Sequence, residues 1–432
     1  MTDGSGPTDA PRALGGATAW RPPAEVPAPA PASSQVDLPL AEQPGPYAPP
    51  PYVAQTPPFV AQNPAYVAQP QAYPPQAYAP PPQPYAAQPY AAQPYGGQPY
   101  GGQWYAPIPI DPALVTALPV EERSYPFFLR APRWRWWKPL LAALLVTLVA
   151  GICMIVPPLI GMVADGTDFA EVARTQKLEL GPWGFLGNNV GIALLIPVAM
   201  LFQWAFFGQR PKWLSSVQGG FRWGWFGRCV AVILPLWVVT LAVEYALTGL
   251  PPDLRVRPYT ALLVVGILLT TPFQSAGEEY LMRGLEQRLV ASYFRVEIVG
   301  WVAATIVSSL TFMALHGAAD PWLNLYYFSF GVAGSWIGWK TGGLEASVAI
   351  HVVNNLVSEA FMPWTDFSGM FNREVGTADP TVLIQVGVLA AAVVALRWLA
   401  RRSHVVTRTA PGAAEVARAQ AAAASAWSGL PR

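Results

Sequence analysis

The chain has 432 residues, of which 53% are hydrophobic and 12% charged, and a formal net charge of +1. Ordinary soluble proteins carry about 25% charged residues, so the apolar excess excludes a water-facing surface for most of this chain. The near-zero charge excludes a partner chosen by bulk electrostatics, nucleic acid above all. The two cysteines, Cys153 and Cys229, both lie in apolar runs and provide neither a disulfide framework nor a multi-cysteine metal site.

The opening MTDGSGPTDAPRAL has no basic stretch followed by an apolar one, so no cleavable signal is expected there. From residue 1 to about 125 the chain is dense in Pro, Ala, Gln and Tyr, with near-repeats from Gln83 to Tyr105. Such a segment buries too little apolar surface to offset its chain entropy. Residues 1–129 are therefore expected to form a disordered cytoplasmic tail with polyproline II character. Its use is that of a solvated spacer, or of a docking segment for an unidentified tail-binding protein.

Arg130, Arg133, Trp134, Arg135, Trp136, Trp137 and Lys138 mark the boundary, immediately before LLAALLVTLVAGICMIV. This is the basic and aromatic flank of a first membrane helix. A span needs about 20 mostly apolar residues. By that measure roughly eight helices are expected, at about 138–162, 183–207, 229–250, 259–293, 297–318, 321–340, 343–361 and 379–399. The fold class is thus an all-α polytopic membrane protein. The membrane domain covers 130–402, and a short cytoplasmic tail follows at 403–432.

An even number of spans returns both termini to one side. Arg210, Lys212, Arg222 and Arg228 crowd the link between the second and third helices, and Arg397, Arg401 and Arg402 close the last one. The first link carries Asp165, Asp168, Glu171 and Glu179 against Arg174 and Lys177. Since Lys and Arg mark the cytoplasm, both termini are expected there. The Ala, Arg, Pro and Gly usage suggests a bacterial cell membrane.

Ionisable groups inside spans are costly and read by default as functional. Glu278 and Glu279 lie in SAGEEYLMRGLEQRL, His316 in TFMALHG and His351 in VAIHVVNN. Two of the chain's three histidines thus fall inside apolar helices, with His404 left in the basic tail. Glu279 and Arg283 are i, i+4 and can pair in low dielectric, whereas Glu278 points about 100° away and is free to act as a base. His351 and Asn355 share a face as a donor pair, and Phe312 and His316 repeat the spacing, with Phe312 as an apolar wall.

If the chain folds back near Val296 or Glu297, Glu278 and His316 each lie roughly 28 Å from the turn at 1.5 Å per residue. After a tight turn at Thr341, Gly342 and Gly343, His351 is about 12 Å up its own helix. One buried site from three helices follows. Two carboxylates and two histidines can hold a divalent metal or activate water directly, and the sequence does not choose. No helix carries HExxH, the stronger zinc signal. If zinc is bound, its ligands are Glu278, His316 and His351. Gln203, Glu244, Asn188, Asn189, Asn324, Asn354 and Glu359 read as glue between helices or helix-end groups.

EEYLMR at Glu278 to Arg283, FMALH at Phe312 to His316 and HVVNN at His351 to Asn355 resemble, in order and approximate separation, the motifs EExxxR, FxxxH and HxxxN. These are the motifs of the CPBP family, the CAAX-protease and bacteriocin-processing proteins also called Abi, which includes the type II CAAX prenyl endopeptidases. The similarity covers roughly residues 200–365. It implies an eight-span intramembrane endopeptidase acting on membrane-associated proteins or peptides in the lipid bilayer. Glu278 and His316 would activate water, His351 and Asn355 would stabilise the oxyanion, and Arg283 would support the glutamate pair. A metalloprotease with zinc and a metal-free glutamate mechanism are both compatible with the resemblance. The alternative is a membrane scaffold or bacteriocin self-immunity protein that keeps the fold and cleaves nothing. A transporter or proton relay would want an internal repeat between the halves, and none is visible.

Overall fold

The computed structural model of the protein describes residues 110–175, 179–366 and 373–428; of the expected tail, residues 1–109 lie outside them. The long helices, in chain order, are α1 (Trp137–Ala164), α2 (Pro182–Phe207, interrupted at Leu194), α3 (Trp223–Thr248) and α4 (Thr260–Ala291). They continue with α5 (Glu297–Leu315), α6 (Pro321–Thr341), α7 (Glu345–Ser358), α8 (Val382–Arg402) and α9 (Pro411–Ser428). Helices α1 to α8 occupy the eight positions expected from hydropathy.

Six of these helices, among the described residues, are long and apolar enough to cross a bilayer: α1 to α5 and α8. The chain is a multi-pass membrane protein. On α1, Leu140, Leu144, Leu148, Ile152, Ile155 and Leu159 are all exposed. They form a continuous apolar stripe, stable against lipid and costly against water. Helices α6 and α7, also expected as spans, fall outside this set of six. Helix α7 has 14 residues, about 21 Å at 1.5 Å per residue, too short for a hydrocarbon core of about 30 Å. Its residues Glu345 to Val353 are all buried in protein. Helix α6 is long enough at 21 residues, but Asn324, Ser329, Ser335 and Lys340 dilute its hydropathy.

Packing follows from these faces. Helix α1 lies along the first half of α2, which in turn packs on α4. Helix α7 packs between α3 and α4, α5 pairs with α6, and α8 closes against α6 and α3. The chain folds back between Ala291 and Glu297, where the hairpin was expected. The turn after α6 is as tight as predicted: Gly342 adopts φ +70°, and a Cβ there would meet the Val406 carbonyl oxygen at 2.6 Å.

Residues 110–129 pack onto the helical body, with Tyr125, Phe127, Phe128 and Leu129 at most 1% exposed. The Tyr125 hydroxyl donates to the Leu214 carbonyl at 2.5 Å, and burial pushes its phenol above the ordinary range. Its ring lies 4.0 Å from the guanidinium of Arg288, which is fully buried and also bonds Gln203 and the Trp213 carbonyl. The composition of the tail masks these few aromatic residues, whose partners lie far along the chain. The C-terminal segment is likewise built into the domain as far as it is described. Strand β1 (Arg123–Ser124) pairs antiparallel with β2 (Arg408–Thr409), and Arg408 binds Glu297 at 2.7 Å. The two terminal segments therefore sit at the same end of the bundle.

Two truncations separate the two parts of the expected tail. Removing residues 1–109 is expected to leave the thermal midpoint in detergent unchanged, because that stretch has no hydrophobic periodicity. Removing 1–129 also strips the rings covering Arg288, and loss of even one such buried aromatic costs about 3–5 kcal/mol. Its midpoint should fall by several degrees, and equal midpoints for the two forms would show that the 110–129 contacts add nothing.

Candidate active site

Helix α4 carries the first motif across a change of helical pitch. Residues Thr260–Glu279 are α-helical and Tyr280–Glu286 form a π-helical turn, a wider turn often found at functional sites. Glu279 and Arg283 remain on one face and pair at 3.0 Å, both fully buried. Helix α6 comes close enough that a Cβ on Gly334 would lie 3.1 Å from Arg283 Nε and 3.3 Å from a Glu279 oxygen. The Arg283 guanidinium sits 4.4 Å from the centre of the Phe312 ring. The second motif therefore does more than wall the site: its Phe covers the cation of the first.

His351 joins the carboxylates from α7. Its Nδ1 lies 3.0 Å from Glu279 Oε1, the same oxygen that accepts from Arg283. A carboxylate paired with arginine only accepts, so Nδ1 carries the proton and Nε2 is turned toward Glu278 Oε2, 3.7 Å away. That Glu278 oxygen has no hydrogen-bond partner among the described residues. His316, one residue beyond α5, places Nδ1 2.8 Å from the Phe312 carbonyl. A carbonyl has no proton to give, so Nδ1–H donates and Nε2 keeps its lone pair. The His316 ring stacks on Tyr327 at 3.9 Å.

Glu278, His316, His351 and Asn355 line one cavity of about 420 Å³, with Tyr326, Tyr327 and Arg373. Glu279 and Arg283 are not in its lining and hold the wall from behind. The expected convergence of three helices is what the structure places there. The position of Asn355 differs from a donor aimed beside His351. Its amide nitrogen bonds Gln274 Oε1 at 3.0 Å and Ser275 Oγ at 3.2 Å. Gln274 in turn donates to Glu278 Oε1 at 2.5 Å.

Several lining residues were not singled out for chemistry by the sequence. Gln274 stands four residues before Glu278, the helical spacing that could have flagged it. Asn189, Asn354 and Glu359, read as glue between helices, also border the cavity. Glu359 accepts from Thr271 at 2.7 Å, and Asn189 bonds Thr270 and Thr271, so both also do the packing work expected of them. Arg373, in the loop after α7, bonds the Tyr327 hydroxyl. No periodicity points to it.

Among the described residues no group of three or more His, Cys, Asp or Glu side chains is arranged to hold a metal ion. Glu278, His316 and His351, the ligands expected if zinc is bound, line the same cavity.

Residues 260–357, from the start of α4 to the end of α7, match the family model described as Type II CAAX prenyl endopeptidase Rce1-like. No curated protein and no solved structure matches the chain. The matched stretch contains all three motifs.

Proposed function

We propose that this chain, a multi-pass membrane protein with an Rce1-like region at residues 260–357, is an intramembrane endopeptidase that hydrolyses peptide bonds of membrane-associated proteins or peptides. The observation that carries this reading is the one cavity that Glu278, His316 and His351 line together, with Glu278 Oε2 lacking a hydrogen-bond partner among the described residues. A carboxylate oxygen with no competing donor is free to take a proton from water.

In the first step Glu278 Oε2 removes one proton from a water molecule, whose other proton is held by the free Nε2 of His316. The water oxygen bonds to the scissile carbonyl carbon, and the carbonyl π pair moves to oxygen. His351, held by Glu279 through Nδ1, stands beside this oxyanion, and a proton taken up from solvent at Nε2 would be donated to it. On collapse the C–N bond breaks, its electron pair leaves with nitrogen, and Glu278 returns the proton to that amine. The two water protons end on the new carboxyl group and on the amine. Both termini are proposed to lie on the cytoplasmic side, a reading that the basic flanks of α1 and α8 support.

Purified protein in lipid vesicles, offered a panel of membrane-anchored peptides, is expected to cleave at least one. A chelator should leave the rate unchanged. Loss of activity restored by zinc would return the metal form of the site, and failure to cleave any member of a broad panel would favour a scaffold or immunity protein.

A further inference from the structure

The hydrogen bonds around Gln274 extend well beyond Glu278. Trp237 Nε1 on α3 bonds Asn354 Oδ1 at 3.2 Å, and the Tyr326 hydroxyl on α6 bonds the same oxygen at 2.7 Å. Asn354 Nδ2 bonds Asn355 Oδ1 at 3.0 Å. Asn355 Nδ2 bonds Gln274 Oε1 at 3.0 Å, and Gln274 Nε2 bonds Glu278 Oε1 at 2.5 Å.

The chemistry at the two ends gives this chain one polarity. An indole N–H can only donate and an ionised carboxylate can only accept. Gln274 must therefore turn its NH₂ to Glu278, which turns its carbonyl to Asn355. Asn355 must answer with its NH₂ and so turns its own carbonyl to Asn354. Asn354 then faces Trp237 and Tyr326 with its carbonyl, and both of these donate. Three amides in a row point the same way, each polarising the next, and their donor ends all run toward one carboxylate. No amide along the line can flip without leaving two donors or two acceptors face to face.

We infer that Trp237, Tyr326, Asn354, Asn355 and Gln274 form a directional hydrogen-bond relay that positions Glu278, holding Oε1 and leaving Oε2 without a competing donor. Gln274 and Asn354 are thus positioning residues for the hydrolysis, and Asn355 acts through Gln274. The inference rests on the reading of Glu278 as the base. The relay draws on four elements, α3, α4, α6 and α7, so the orientation of one carboxylate depends on their common packing. Neither Asn354 nor Trp237 belongs to the three motifs, and Gln274 precedes the first.

The test is a double-mutant cycle on kcat and KM with the full chain in vesicles. Gln274→Met keeps the side-chain length and removes the amide, and should lower kcat at least tenfold with KM unchanged. Asn354→Leu should lower kcat in the same way but less. The double variant should be no slower than Gln274→Met alone, because once the Gln274 amide is gone Asn354 has nothing to feed. Residues that merely support packing would instead multiply their losses, and they would lower the thermal midpoint in step with activity. If Gln274→Met does not fold, the cycle is run on Tyr326→Phe and Asn354→Leu, where the same non-additivity is expected. Multiplicative losses, a rise in KM alone, or full activity in Gln274→Met would overturn the relay. Cleavage by Glu278→Gln would sink the reading of the site itself, a separate outcome measured in the same assay.

Discussion

Glu278→Gln is expected to lower peptide cleavage by about 100- to 10,000-fold, the range general base catalysis contributes, with expression and thermal midpoint unchanged. The argument starts from what each oxygen of Glu278 does. Oε1 accepts from Gln274 at 2.5 Å, and a glutamine carbonyl at that position can accept the same bond. Oε2 has no hydrogen-bond partner among the described residues, so replacing it with NH₂ breaks no hydrogen bond on which folding depends. What disappears is the basic lone pair of the carboxylate. His316→Ala should cost a similar factor, because the water loses its second anchor. The two together should cost little more than either alone, as groups acting on one water molecule are not additive. Wild-type turnover by Glu278→Gln would return the chain to the scaffold reading.

The three motifs were legible in the sequence because charge inside an apolar run is conspicuous, and because helical spacing alone separates Glu278 from Glu279. The depth argument also needed only residue counts, since the fold-back between Ala291 and Glu297 equalises the heights of Glu278 and His316. What the sequence could not display were relations across helices. Asn355 sits four residues after His351 and looked like its partner, but the neighbouring helix α4 offers Gln274 and Ser275 at bonding distance, and that contact wins. The π-helical turn over Tyr280–Glu286 has no local signature in residues that would equally well continue an α-helix. Helix α7 was counted as a span because hydropathy cannot tell a lipid-facing segment from one enclosed by protein. Residues 110–129 were absorbed into the tail for the opposite reason. Four buried aromatic and aliphatic side chains there, Tyr125, Phe127, Phe128 and Leu129, are too few to shift a composition window, yet Tyr125 and Phe128 cover a buried cation at Arg288.

Arg283→Met should destabilise the protein by about 3–5 kcal/mol, the cost of stranding one member of a buried ion pair. Glu279 and Arg283 are both 0% exposed and meet at 3.0 Å. Without the guanidinium, the carboxylate is left in low dielectric with no cation paired to it, beside the Nδ1 of His351. The companion variant Glu279→Leu/Arg283→Met removes both charges, so neither desolvation cost remains, and most of the lost stability should return. Activity should not return with it. His351 Nδ1 donates to Glu279 Oε1 at 3.0 Å, and that bond fixes both the tautomer and the direction in which Nε2 faces the cavity. A leucine cannot accept it, so the ring is free to rotate and its proton free to change nitrogen. The two measurements thus separate what the pair does for folding from what Glu279 does for His351. Unfolding midpoints report the first and kcat the second. A double variant that regains both would reduce Glu279 to a structural partner of Arg283, whereas an Arg283→Met protein as stable as wild type would mean that the carboxylate is neutral or solvated where the fold encloses it.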